Sequence, residues 1–260
     1  MVTAKKAGNT EVVAETYNGK KVICKICVIP KSYKITVVPL INQNNLPTGC
    51  ETCSAVMLLN FYGCNISEAE FTDNYLIKKD LLYINNKLYV PDPNCAFIVS
   101  PYSSSPFEAY SPVMAKSMNN YLSGKLYKAV SIQGESLEAL YGKYIVQGKP
   151  VMVWTTINMV QSYKTRSWTA NYTDENAQYK KGDIYTWIVN EHCLVLTEYD
   201  SNNYYFNYPC TNSYAVYSKS LVNTRYAELG KQAVVMEKRH FFNNYNGVSI
   251  NGKFTVFIGD

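Results

Sequence analysis

The chain has 260 residues, 47% hydrophobic and 17% charged, a balance that excludes a disordered polymer and gives room for one large domain or a domain with a short extension. Its net charge of +5 is spread out, with no Lys/Arg run beyond pairs such as Lys78-Lys79 and Lys180-Lys181, which argues against nucleic acid as a partner. No apolar stretch approaches the roughly 18 residues of a membrane-spanning helix.

Along the chain, the first 15 residues carry two early lysines but lack the apolar core of a signal peptide after them. Residues 1–34 read as an extension with short strands at 21–23 and 25–29, ended by Pro30. Asn42 to Gly49 is dense in turn formers and reads as a loop. From Cys50 to Tyr62 the pattern turns helical, with Ala55, Leu58, Leu59 and Tyr62 on one face, Gly63 as the stop and Thr48 as a possible N-cap. A second helix follows Ser67, which with Glu70 has capping-box spacing. Residues 80–106 read as irregular, broken by four prolines (Pro91, Pro93, Pro101, Pro106). Helices are expected at 108–122 and 135–147, the latter closed by Gly148 and Pro150. Val151 to Thr156 reads as a buried strand and 158–183 as a long loop carrying Tyr163, Trp168, Tyr172 and Tyr179 as one wall of a cleft. Strands resume at 185–189, 193–199 and 204–207, then a helix at 218–229 and a strand at 232–236. Helices first and antiparallel strands second predict an α+β fold with segregated layers. The 24 tyrosines against 9 phenylalanines suit half-buried strands and a wet groove.

The chain has only two histidines, His192 opening a strand and His240 in a polar, aromatic tail. Cys50 opens the predicted helix, where free backbone N–H groups and the positive end of the helix dipole favour a thiolate. An imidazole nearby would activate it further. Gln43, in the loop that folds back over the helix start, offers an amide to an oxyanion. The eight cysteines (24, 27, 50, 53, 64, 95, 193 and 210) are too sparse for a disulfide scaffold. Two CxxC pairs, Cys24/Cys27 and Cys50/Cys53, offer a competing four-thiolate zinc site. Against it, Cys50 and Cys53 begin an apolar helix. Cys193 points away from the face of His192 and reads as core, while Cys53, Cys64, Cys95 and Cys210 read as small hydrophobes or disulfide partners.

Leu46-Pro47-Thr48-Gly49-Cys50-Glu51, followed by Ser54 to Gly63, resembles the nucleophile segment of the C-39-like peptidases, papain-like relatives of the bacteriocin leader peptidases. Gln147 to Trp154, Glu191 to Asp200 and Gly230 to Val235 resemble later family segments in the right order, so that the likeness covers residues 36–236. The resemblance implies a papain-like fold with N-terminal helices packed on an antiparallel sheet over 35–240, and a C-terminal strand or tail at 241–260. It implies Cys50 as nucleophile, His192 as general base then acid, and Gln43 as oxyanion donor. The family's third member is an Asp just before a Pro; here Tyr208 precedes Pro209, and Asn207 is the chemical substitute one residue earlier. A one-residue shift on a strand reverses side-chain direction, so Asn207 serves only if a bulge turns it inward. The expected partner is a peptide or protein substrate, with no cofactor or metal, in an extracellular or cell-envelope setting. A peptide-holding protein of weakened turnover and an acyltransferase are the alternatives in the same shell.

Overall fold

The computed structural model of the chain describes residues 5–104, 107–211, 213–239 and 254–259. It opens with an antiparallel hairpin, β1 (Gly8–Glu15) and β2 (Lys21–Ile29), and a short β3 (Tyr33–Lys34). Then come α1 (Cys50–Phe61), α2 (Glu68–Asn74), β4 (Lys78–Lys79), β5 (Leu82–Ile84), β6 (Lys87–Val90), β7 (Phe97–Ile98) and α3 (Ser111–Tyr121). β8 (Tyr127–Gln133), α4 (Leu137–Lys143), β9 (Val151–Thr156), β10 (Tyr163–Ala170) and β11 (Ile184–Val189) follow. The chain closes with β12 (Glu191–Tyr199), β13 (Asn203–Tyr208), β14 (Ser213–Ser218), α5 (Lys219–Glu228), β15 (Gln232–Lys238) and β16 (Phe254–Gly259).

The main sheet runs β14-β13-β12-β9-β15-β8, every pairing antiparallel, with β3 beside β12. α1 packs on β12 and β9, and α3 on β8 and β15. Mixed helices on an antiparallel sheet were therefore legible. All six residues of β9 are buried, and so are Glu191 to Thr197 of β12. Central strands covered on both faces read as unbroken apolar runs, which is why Val151 to Trp154 stood out. α1 has no polar face: its residues from Cys50 to Leu59 are all buried, including Glu51, Thr52 and Ser54. A helix enclosed on all sides loses roughly 2–5 kcal/mol when a Leu such as Leu58 is cut to Ala.

Outside this sheet, β1, β2 and β16 form a three-stranded sheet, with β16 parallel to β2. The stretch expected to be irregular holds β5 and β6, a hairpin turned at Asn85-Asn86, both with positive φ. The expected loop 158–183 holds β10, paired with β11 and, in parallel, with β6. β10 escapes a periodicity reading because Tyr163 to Ser167 are exposed, and only Trp168 to Ala170 are buried. Trp168 does not line a cleft; it is buried among Phe107, Tyr185 and Trp187. Ser67 caps α2 as expected, accepting from the Glu70 N–H. Thr48 does not cap α1: its hydroxyl faces the carbonyls of Ser100, Pro101 and Ser103, and Gly49 is the N-cap.

Candidate active site

Two local features fix the start of α1. A Cβ on Gly49 would collide with Leu46 Cβ, so the Leu46-to-Cys50 turn closes only with glycine there. The Thr48 backbone N–H donates to Pro101 O, tying the turn to the segment ahead of α3. Cys50 thus enters the interior at the first helical position, 1% exposed.

The helix start meets β12 where β13 stops. The last β12–β13 pair is Val195 with Asn207. Beyond it Cys193 keeps its β9 partner, Trp154, but its own N–H and C=O face α1. The N–H donates to Cys50 Sγ at 3.4 Å and the C=O accepts from Ser54 Oγ at 3.2 Å. The first turn of α1 therefore satisfies backbone groups that a strand would otherwise take. It also holds the sulfur against the residue next to His192.

Strand alternation splits the neighbours of Cys193 onto two faces. Glu191 lies on the Cys193 face; one oxygen each from Glu191, Glu51 and Glu108 lies within 4.8 Å of Cys50 Sγ and of one another. The Cys50 thiol donates to Glu51 Oε2 at 3.2 Å, and Glu51 Oε1 accepts from the Ala109 N–H at 2.9 Å. Ala109 O accepts in turn from Trp154 Nε1 on β9. On the other face lies His192, 2% exposed, its ring 4.7 Å from that of Tyr208. Tyr208 is held by Asn158: its hydroxyl donates to Asn158 Oδ1 at 3.3 Å and accepts from the Asn158 N–H at 3.2 Å. Asn158 takes a left-handed conformation to do so, with φ of 50°. His192 Nε2 is buried with no hydrogen-bond partner.

Burial dominates the electrostatics. It pushes the Cys50 thiol well up, and Glu108 and Glu51 add to the rise. It pushes the His192 imidazole down to about 3. Burial raises Glu51 to about 7 against its hydrogen bonds, and raises Glu108 with help from Glu51. At neutral pH the pair is thiol and neutral imidazole, not the thiolate–imidazolium pair expected from a helix start alone.

The other expected site residues are placed differently. Asn207 pairs with Val195, on the opposite face from His192, and its amide donates to Val38 O at 3.2 Å and Pro39 O at 2.8 Å. The β12–β13 ladder has a bulge, but between Leu196 and Glu198, and it does not turn Asn207 towards the imidazole. Tyr208 holds the position facing His192. Gln43 Nε2 donates to Pro47 O at 3.4 Å, its N–H donates to Pro209 O, and its Oε1 is buried without a partner. Cys24 and Cys27 sit on β2; among the described residues the one metal-capable grouping contains Cys50 but not Cys24, Cys27 or Cys53, so the four-thiolate zinc site is not assembled. All eight cysteines are free, which removes the disulfide alternative for Cys53, Cys64, Cys95 and Cys210. His240 lies outside the described residues.

The profile of the Peptidase_C39 like family matches residues 35–234. The chain belongs to that family. A relative from Bacillus subtilis (strain 168), the uncharacterized protein YvpB, is 26% identical over 205 residues, covering 77% of this chain and 75% of its own. A crystal structure from Bacillus anthracis, provisionally described as a C-39-like peptidase, superposes with a TM-score of 0.67 at 25% identity, covering 81% of this chain and 99% of that one. For this family member the sequence reading overlooked Glu51, Glu108 and Glu191. Glu51 and Glu191 adjoin the two candidate residues in sequence, and a lone Glu inside an apolar helix was the available signal. Glu108 carried none, because only the fold brings it to Cys50. Among the described residues no helix is long and apolar enough to cross a membrane.

Proposed function

We propose that the chain is a cysteine peptidase of papain-like arrangement, its chemistry carried by 35–240, with Cys50 as nucleophile and His192 as base. The observation that carries this reading is the docking of Cys50 Sγ on the N–H of Cys193, beside the only histidine among the described residues. His192 takes the thiol proton as the sulfur attacks the scissile carbonyl, then delivers it to the leaving amine. Water then releases the acyl group from the thioester. The oxyanion would lie near the start of α1, where the Cys50 N–H and the second N–H of Gln43 Nε2 are the available donors. The neutral pair fits a closed resting site: proton transfer waits until a substrate brings polar groups into the buried space.

Tyr208 favours a second reading, in which the same cleft holds a peptide and turns it over slowly. A phenol fixed on Asn158 does not orient the imidazole as a carboxylate would. Incubation with a diverse peptide library, read by mass spectrometry, separates the two. Cleavage by the wild type that is lost in Cys50→Ala and His192→Ala supports the peptidase; retention of peptides without cleavage supports the holding protein. Cleavage surviving in Cys50→Ala would refute the assignment of the nucleophile.

A further inference from the structure

Three carboxyls meet the Cys50 sulfur at the edge of β12, Glu191 reaching it from the face opposite His192. Cys50 Sγ and one oxygen each of Glu51, Glu108 and Glu191 lie within 4.8 Å of one another. Glu191 is 4% exposed, and neither of its oxygens has a hydrogen-bond partner. Glu108 Oε2 is likewise buried without one. Glu51 is held in place by the Ala109 N–H and bonded to the thiol itself. No Lys, Arg or His is bonded to any of them among the described residues. Three carboxyls around one sulfur, enclosed and short of donors, are a destabilising placement for a resting protein. What they lack is a cation.

We propose that this cluster is a Zn2+ site formed by Cys50, Glu51, Glu108 and Glu191. One sulfur and three carboxyl oxygens suit zinc, which accepts thiolate and carboxylate together in four-coordinate geometry; calcium and magnesium take oxygen alone. The ligand atoms need to draw in from their present spacing towards roughly 2.0–2.3 Å from the ion. The Ala109 N–H and the Cys193 N–H would remain as outer partners that orient Glu51 and the sulfur. On binding, the Cys50 thiol releases its proton to solvent as the Zn–S bond forms. Any carboxyl still protonated gives up its proton to solvent as its Zn–O bond forms, so that the ligands bind as thiolate and carboxylates, and no oxidation state changes. Because Cys50 cannot ligate zinc and attack a carbonyl at once, the loaded site is a reversible off-state. That consequence rests on the peptidase reading; the metal site does not.

The test is a Co2+ titration of the full chain under reducing conditions, followed by displacement with Zn2+. The expected result is one equivalent of tetrahedral cobalt with thiolate-to-cobalt charge-transfer absorption, bleached by zinc. Glu191→Gln weakens binding at least about tenfold and Cys50→Ser abolishes the charge-transfer band. The pair Cys24→Ser and Cys27→Ser leaves both unchanged. Absence of the band in the wild type, its survival in Cys50→Ser, or unchanged affinity in Glu191→Gln would each overturn the site. The wild-type spectrum needs no variant to fold. Cobalt bound through Cys50 in a chain that cleaves no peptide would keep the site and remove the peptidase; peptide cleavage indifferent to stoichiometric zinc would do the reverse.

Discussion

The two faces of β12 differ sharply within three consecutive residues. On one, Glu191 and Cys193 face the start of α1, where Cys50, Glu51 and Glu108 crowd together. On the other, His192 lies against the ring of Tyr208 with Nε2 unpartnered. Both faces are equally dry, yet burial acts on them in opposite senses, raising the acids and lowering the base. On the proposed reading, the strand holds protonated acids on one side and the proton acceptor on the other, with the thiol at the junction.

Removing the imidazole breaks this contrast most severely. His192→Ala is expected to lower kcat/KM by about 10³-fold or more in a peptide-cleavage assay, well beyond what the stability cost of the cavity left by the buried ring accounts for. Asn207→Ala tests the opposite face. It removes two hydrogen bonds to the 38–39 segment, so it should cost about 2 kcal/mol in urea denaturation while kcat stays within about threefold. A loss of kcat near that of His192→Ala would instead make Asn207 the orienting group. Tyr208→Asp restores a carboxylate facing the imidazole and should raise kcat about tenfold, at a cost in stability from the cavity left by the ring.

The smallest effect is one of pH. Glu51, ordinarily near 4.5, is raised to about 7, so the folded state binds its proton more tightly than the unfolded chain. Its contribution to stability is full below about 4.5 and is lost as pH rises towards 7. His192 runs the other way: its folded value of about 3 lies below the ordinary 6.5, so stability is gained as pH rises between them. Glu51→Gln should therefore gain stability relative to the wild type between about pH 4.5 and 7, on the order of 1 kcal/mol, in denaturation midpoints taken across that range.

The sequence made the parts with local signals legible. Cys50 at a helix start, Ser67 as a cap, the stop at Gly148 with its φ of 73°, and the apolar runs of β9 and β12 each follow from a few neighbours. Strand parity also forecast that Asn207 and Tyr208 face opposite ways, which the register bears out. Elements whose signal lies in distant partners escaped. The β5–β6 hairpin turns on two asparagines that supply the positive φ usually left to Gly. β10 is strand because β6 and β11 flank it, not because of its own pattern. Glu108 sits in a loop next to Ala109, which bonds Glu51 from 58 residues away, a proximity no local window contains. Helix-start logic also predicted an activated thiolate; complete burial reversed that, because desolvation outweighs the dipole when no water reaches the sulfur.

The central claim is that Cys50, alone among the cysteines, is driven by His192. It is tested most directly by peptide mapping after treatment with a peptidyl chloromethyl ketone. The account predicts a single adduct on buried Cys50 that disappears in His192→Ala, while exposed Cys210 reacts with simple iodoacetamide equally in both proteins. An adduct on Cys50 formed at the same rate without His192, or labelling of Cys210 alone, would contradict it.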